Sequence, residues 1–116
     1  MVERGKAFGR KREMIGRVQE YIGDNLGSRL TIDLLAEEFH ISPTQLKKSF
    51  REVTGTTIYV YVRSRRMQKA ASLLTETDQT VLDIAGQCGY DNGSKFAKAF
   101  RDVMGCSPRE YRNNEN

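Results

Sequence analysis

Residues 44–51 hold Thr44, Gln45, Lys47, Lys48 and Arg51 with no acid among them, and a second polar and basic cluster, Ser94, Lys95, Lys98 and Arg101, lies further along the chain. An ammonium can donate to N7 and O6 of a guanine, a glutamine amide can pair with N6 and N7 of an adenine, and a threonine methyl can pack on a thymine methyl. Thr44, Gln45, Lys47 and Lys48, with Ser94, Lys95 and Lys98, are therefore the candidates for touching base edges. Arg51 and Arg101 lie a turn or more along and suit phosphates, as do Arg63 and the helix amino ends at Thr31 and Thr80. A single outward lysine is ordinarily just solvated. Two clusters on equivalent faces are harder to assign to solvation alone.

Other chemistries find less support. His40 is the only histidine, no nucleophile has a base beside it, and no glycine-rich phosphate loop follows a strand, so neither an enzyme nor a cofactor site is expected. Cys88 and Cys106 stand in apolar contexts without a second pair at ligand spacing, which suits reduced core thiols better than a disulfide or metal site. No apolar run reaches the roughly 20 residues of a membrane span, and the first residues lack a signal-peptide core; a soluble, cytoplasmic protein is expected. The net charge of +4 favours phosphate-rich partners without identifying one.

The elements that must position these clusters are written twice. TIDLLAEEFHISPTQLKKSFREVTGTTIYVY aligns with TVLDIAGQCGYDNGSKFAKAFRDVMGCSPREY, with one extra residue in the second turn. Thr31, Leu35 and Ala36 match Thr80, Ile84 and Ala85. Lys48, Phe50, Arg51, Val53, Gly55 and Tyr61 match Lys98, Phe100, Arg101, Val103, Gly105 and Tyr111. Each unit opens on a threonine that can cap a helix, and Asp83 can add a capping box. Ile32, Leu35, Ala36 and Phe39, like Val81, Ile84, Ala85 and Cys88, recur at helical spacing and predict one buried stripe per unit. The turn after each stripe needs a residue that tolerates positive φ: Gly89 in the second unit, and in the first His40, a strained turn residue before it is a base or ligand.

The second helix of the first unit opens on Ser42-Pro43, with Gln45 placed to close a capping box; in the second unit Asp91 or Asn92 caps. Leu46, Phe50 and Val53, and their counterparts Phe96, Phe100 and Val103, should point inward. A helix over residues 57–74, about 27 Å long at roughly 1.5 Å per residue, separates the units. Two short helices joined by a tight turn form a helix-turn-helix, whose second helix can enter the DNA major groove while the first braces it across the backbone. With both second helices on one side, successive major-groove segments about 34 Å apart could be read by one polypeptide.

The second unit, with Val81-Leu82-Asp83-Ile84-Ala85, Cys88-Gly89-Tyr90, Phe96, Phe100-Arg101, Gly105, Pro108 and Tyr111-Arg112, closely resembles the AraC/XylS family of bacterial transcription regulators. The first unit, with Ser42-Pro43, Leu46, Phe50, Gly55 and residues 61–66, also resembles the family pattern, so the likeness covers about residues 15–112. It implies an all-α fold of seven helices forming two helix-turn-helix subdomains joined by a long central linker helix. It also implies double-stranded DNA as partner and transcription regulation, most often activation through contact with RNA polymerase, commonly with a separate sensor domain. His40 departs from a frequent small turn residue. Gly93, early in the second recognition helix, could weaken base contacts there, so the second unit is expected to read less sequence than the first.

The expected organisation is a basic flexible segment or linker at 1–13, then an AraC-type DNA-binding domain at 14–113. That domain divides into a first helix-turn-helix unit at 14–55, a linker helix at 56–75 and a second unit at 80–113. The alternative from another class is a basic helical protein-interaction module without specific DNA readout. Single-strand or RNA binding ranks lower, because no exposed aromatic platform on a sheet is expected.

Overall fold

The computed structural model describes residues 2–115, with side chains at 7–114. Seven α-helices, α1 (Val2–Asp24), α2 (Ile32–Glu38), α3 (Pro43–Thr54), α4 (Ile58–Glu76), α5 (Val81–Gln87), α6 (Gly93–Met104) and α7 (Pro108–Glu115), are formed, and no strand occurs among the described residues. The chain divides into two compact units, Met1–Asn25 with Leu30–Tyr61, and Leu26–Arg29 with Val62–Asn116. The expected linker helix is α4, and the division falls inside it.

In the first unit α1 buries Ile15, Val18 and Ile22, α2 buries Leu35 and Ala36, and α3 buries Leu46 and Phe50. Ile15, Val18 and Ile22, like Leu46 and Phe50, recur at three- and four-residue spacing, so α1 and α3 each present one apolar stripe. Residues 2–13, expected as a basic flexible segment or linker, form the first half of α1. This stretch lacks proline and is rich in Glu, Lys and Arg, which favour helix, and it continues a helix already anchored by its buried half. Lys11 ties that half to α3 by an ion pair with Glu52 at 2.7 Å.

The second unit packs α4, α5, α6 and α7 around Met67, Ala70, Leu74, Ile84, Cys88, Phe96 and Phe100. Two arginines hold its backbone. Arg112 donates to the carbonyls of Leu74, Thr77 and Gln79 at 2.9, 3.2 and 2.7 Å, satisfying acceptors around the C-terminal end of α4 that the helix itself leaves free. Arg66 donates to the carbonyls of Leu26 and Ser28 at 3.0 and 2.8 Å, which fastens segment Leu26–Arg29 to this unit. Both cysteines are free thiols, Cys88 buried and Cys106 partly so. Burial raises the Cys88 thiol pKa against the pull of Lys69 and Arg66, so it stays protonated.

Some local expectations need correction. Val103 is exposed where an inward position was expected; Met104 packs against the core in its place. Gln45 does not close a capping box on Ser42; its amide donates instead to the buried Ser49 hydroxyl at 2.9 Å, because a polar group inside the unit needs a partner. Of the two candidate caps before α6, it is Asn92 that accepts, from the Lys95 amide at 3.0 Å.

Candidate nucleic-acid interface

Each helix-turn-helix is fixed at both ends of its first helix. Thr31 accepts from the Leu34 amide and Thr80 from the Asp83 amide, both at 3.1 Å. At the other end the same pair of reversed bonds closes the turn. His40 donates to Glu37 and Ile41 to Ala36 at 3.3 and 3.0 Å, as Gly89 donates to Gly86 and Tyr90 to Ala85 at 3.1 and 2.9 Å. This is the Schellman arrangement, which requires a left-handed residue at the crossing. His40 adopts φ 54° and Gly89 φ 88°. At Gly89 no side chain would fit: a Cβ would meet the Leu26 carbonyl oxygen at 2.7 Å and the Arg66 guanidinium at 2.8 Å.

The turn aims the second helix outward. Ser42 caps α3 by accepting from the Gln45 amide at 3.1 Å, with Pro43 in the first helical position. Thr44, Gln45, Lys47, Lys48 and Arg51 are then all exposed on α3, opposite the buried Leu46, Ser49 and Phe50. On α6 Ser94, Lys95, Lys98 and Arg101 are likewise exposed, opposite Phe96, Ala99 and Phe100. A tyrosine edge braces each helix from behind: Tyr61 meets Phe50 at 5.4 Å and Tyr111 meets Phe100 at 5.5 Å, with the rings inclined at 69° and 80°. The duplicated sequence therefore builds duplicated packing.

The electrostatics of the two faces differ. Among the described residues no carboxylate lies within ion-pair distance of Lys47, Lys48 or Arg51, because Glu52 is engaged by Lys11. That lysine's hydrogen bond, aided by its charge and that of Lys48, holds the Glu52 carboxyl below its ordinary range. On α6, Lys98 pairs with Asp102 at 3.3 Å and Arg101 with Glu110 at 3.2 Å. Of the remaining expected contacts, Thr31 and Thr80 use their oxygens as caps, which leaves each hydroxyl hydrogen to donate. Arg63 is partly buried on α4 and engaged within the protein. The sequence did not single out Thr57 or Tyr59, which adjoin Lys47 and Arg51 beside the start of α4. Their only signal was their position opposite Ser107 and Arg109 in the duplication.

Residues 35–114 match the family described as "Helix-turn-helix domain". The chain belongs to the AraC/XylS family. It is 33% identical over 100 residues to the regulatory protein SoxS of Salmonella typhimurium, covering 86% of this chain and 94% of that one. It is 35% identical over 103 residues to the F1 operon positive regulatory protein of Yersinia pestis. That likeness covers 88% of this chain but 34% of the relative, so the chain spans about a third of that protein's length. Among solved structures, the DNA-binding domain of AdpA, described in complex with a target DNA, superposes with a TM-score of 0.82 at 26% identity, covering 86% of this chain and 90% of that one. AraC-type domains are the DNA-binding parts of transcription regulators, and their all-α architecture is shared by this chain. No helix among the described residues is long and apolar enough to cross a membrane.

Proposed function

We propose that the chain binds double-stranded DNA sequence-specifically, with α3 and α6 each entering a major groove, and regulates bacterial transcription from the cytoplasm as an activator. The observation that carries this reading is the repeated construction: two helix-turn-helix units, each closed by the same reversed turn, each presenting an exposed polar and basic second helix. The likeness to a domain described in complex with its target DNA supports it. A protein-interaction module would need only one basic face and no repetition of caps and turn.

In this reading Lys47, Lys48 and Gln45 read bases from α3, with the Thr44 methyl against a thymine. The bond from Gln45 to Ser49 fixes its amide plane and leaves Oε1 and the second N–H for an adenine. Ser94, Lys95 and Lys98 read from α6. Arg51, Arg101, Arg63 and the donors at Thr31 and Thr80 hold phosphates and set the register without choosing sequence. Activation by contact with RNA polymerase, and control by a sensor domain outside this chain, extend the reading to the partners that the family implies; the positive regulatory role in the name of the Yersinia pestis relative supports activation.

Selection of bound duplexes from a random pool at near-physiological salt tests the reading, because it measures specificity and site length together. An asymmetric motif of two blocks about one helical turn apart is the expected result. A pool that binds without any motif would return the chain to the protein-interaction reading.

A further inference from the structure

Between the start of α2, the middle of α3 and the first turn of α4 lies a half-open cleft of about 250 Å³, lined by Ile32, Lys47, Arg51, Thr57, Ile58 and Tyr59. All six residues belong to the first unit. Its surface is apolar, with Ile58 buried, Ile32 partly buried and Tyr59 70% exposed. Lys47 and Arg51 line it through their aliphatic stems, which leaves their charged ends at its margin, and no acidic residue lines it.

Each half of that description excludes a class of ligand. A neutral hydrocarbon would fill the apolar cleft and gain nothing from the two cations at its margin. An inorganic phosphate would gain the charges and nothing from the isoleucines. A molecule with both an anionic head and a short apolar body uses the whole site. The volume lies below the roughly 300–1,000 Å³ of drug-sized pockets, which limits the body to a single ring or a short chain. A carboxylate matches the planar fork of a guanidinium, so Arg51 can hold it through two parallel bonds while Lys47 adds a point charge.

We propose that this cleft is a binding site for a small apolar carboxylate, its head on Lys47 and Arg51 and its body on Ile32, Ile58 and Tyr59. The duplication supplies an internal control. At the equivalent positions of the second unit stand Val81, Ala97, Arg101, Ser107, Pro108 and Arg109. Ala97 removes the lysine, Arg109 removes the ring, and Arg101 is taken by Glu110 at 3.2 Å. The site belongs to the first unit alone. A ligand there occupies two of the cations assigned above to DNA, so ligand and duplex compete; this second step rests on the DNA-binding reading.

The test is a titration of the full chain with benzoate, followed by amide NMR shifts at constant ionic strength, with neutral benzamide as control. Saturable shifts are expected at Ile32, Arg51, Thr57, Ile58 and Tyr59 and not at the counterpart amides of Val81, Arg101, Ser107 and Arg109 in the second unit. Lys47→Gln with Arg51→Gln should weaken benzoate about tenfold or more, and Ile32→Phe should block the cleft with both cations in place. Shifts that never saturate, that appear equally in the second unit, or that survive these substitutions overturn the site. With benzoate at its own Kd, the apparent Kd for a selected duplex should about double. A duplex affinity indifferent to a filled cleft overturns the competition. A chain that binds no duplex at all sinks the DNA reading, while the titration still decides the cleft.

Discussion

The helices α3 and α6 occupy equivalent places in a duplicated sequence and carry similar cations, yet those cations keep different company. On α3 the nearest carboxylate in sequence, Glu52, is drawn away by Lys11 of α1. On α6, Asp102 and Glu110 each hold one of the cations assigned to DNA. The turns that lead into the two helices differ as well: one is made by an exposed histidine, the other by a glycine walled in by a carbonyl and a guanidinium. A count of lysines and arginines would rank the two faces as near equals. The difference teaches that charge offered to a ligand is set by which acids the fold brings alongside, and that the same backbone turn can be permissive in one unit and closed in the other.

The turns give the largest expected contrast. Gly89→Ala forces a Cβ into the Leu26 carbonyl and the Arg66 side chain, on a backbone that already disfavours it, and should destabilise the second unit by about 3 kcal/mol or more. His40→Gly works on the same turn in the first unit, where the histidine already tolerates φ 54°. Relief of the left-handed strain is offset by the greater freedom of an unfolded glycine, so the net change should stay under about 0.5 kcal/mol. Thermal unfolding of the two variants measures both. Equal losses would mean that the walls around Gly89 yield and that the two turns are alike.

The next contrast is in DNA binding. Lys47→Ala should cost about 1–3 kcal/mol of duplex affinity and relax preference at one position of the motif. Arg51→Ala should instead weaken all duplexes alike and reduce the salt slope by about one. Lys98→Ala and Arg101→Ala should each cost less than their α3 counterparts, because those side chains must first leave a carboxylate. Binding isotherms across a salt series separate these cases. Losses from α6 as large as those from α3 would show that the ion pairs dissolve at no penalty when DNA arrives.

Much of this arrangement was legible in the residues. Thr31, Ser42 and Thr80 announce helix starts because a hydroxyl before an apolar stripe has a local job that does not depend on the rest of the fold. The turns at His40 and Gly89 and the buried stripes were likewise carried by spacing. What spacing could not show is where a long side chain goes once partners from distant sequence are present. Arg66 and Arg112 look like further surface charge, but they bind backbone carbonyls 33 to 40 residues away in sequence. Gln45 reads as half of a capping box until Ser49 proves to be buried and in need of a donor. Residues 2–13 read as a linker from their glycines and charge, yet they extend a helix that is anchored further along by Ile15 and Val18. The candidate site was legible as a set of residues on two helices; the inequality of the two faces was not, since Glu110 reaches Arg101 from another helix.

Glu110 supplies the smallest and most specific expected effect. It caps α7 reciprocally with Ser107, each accepting from the other's amide at 3.1 Å, and it also receives Arg101. The Ser107 backbone and hydroxyl contacts, followed by the Arg101 charge, hold its carboxyl below the ordinary range. A carboxyl whose pKa is lower when folded stabilises the fold above its unfolded pKa, and that contribution disappears as pH falls through the lowered value. The first turn of α7 should therefore loosen under acid, seen as lower amide protection factors at Glu110 and Tyr111 once the intrinsic slowing of exchange with falling pH is divided out. The first turn of α4 should show no such change, because Val60 stands where Glu110 does while the Thr57 cap is retained at 3.1 Å. Glu110→Gln at neutral pH keeps an acceptor for the cap but frees Arg101, so duplex affinity at low salt should rise slightly rather than fall. A fall would mean that Glu110 orients Arg101 for its phosphate, and that the paired cations of α6 are held ready rather than held back.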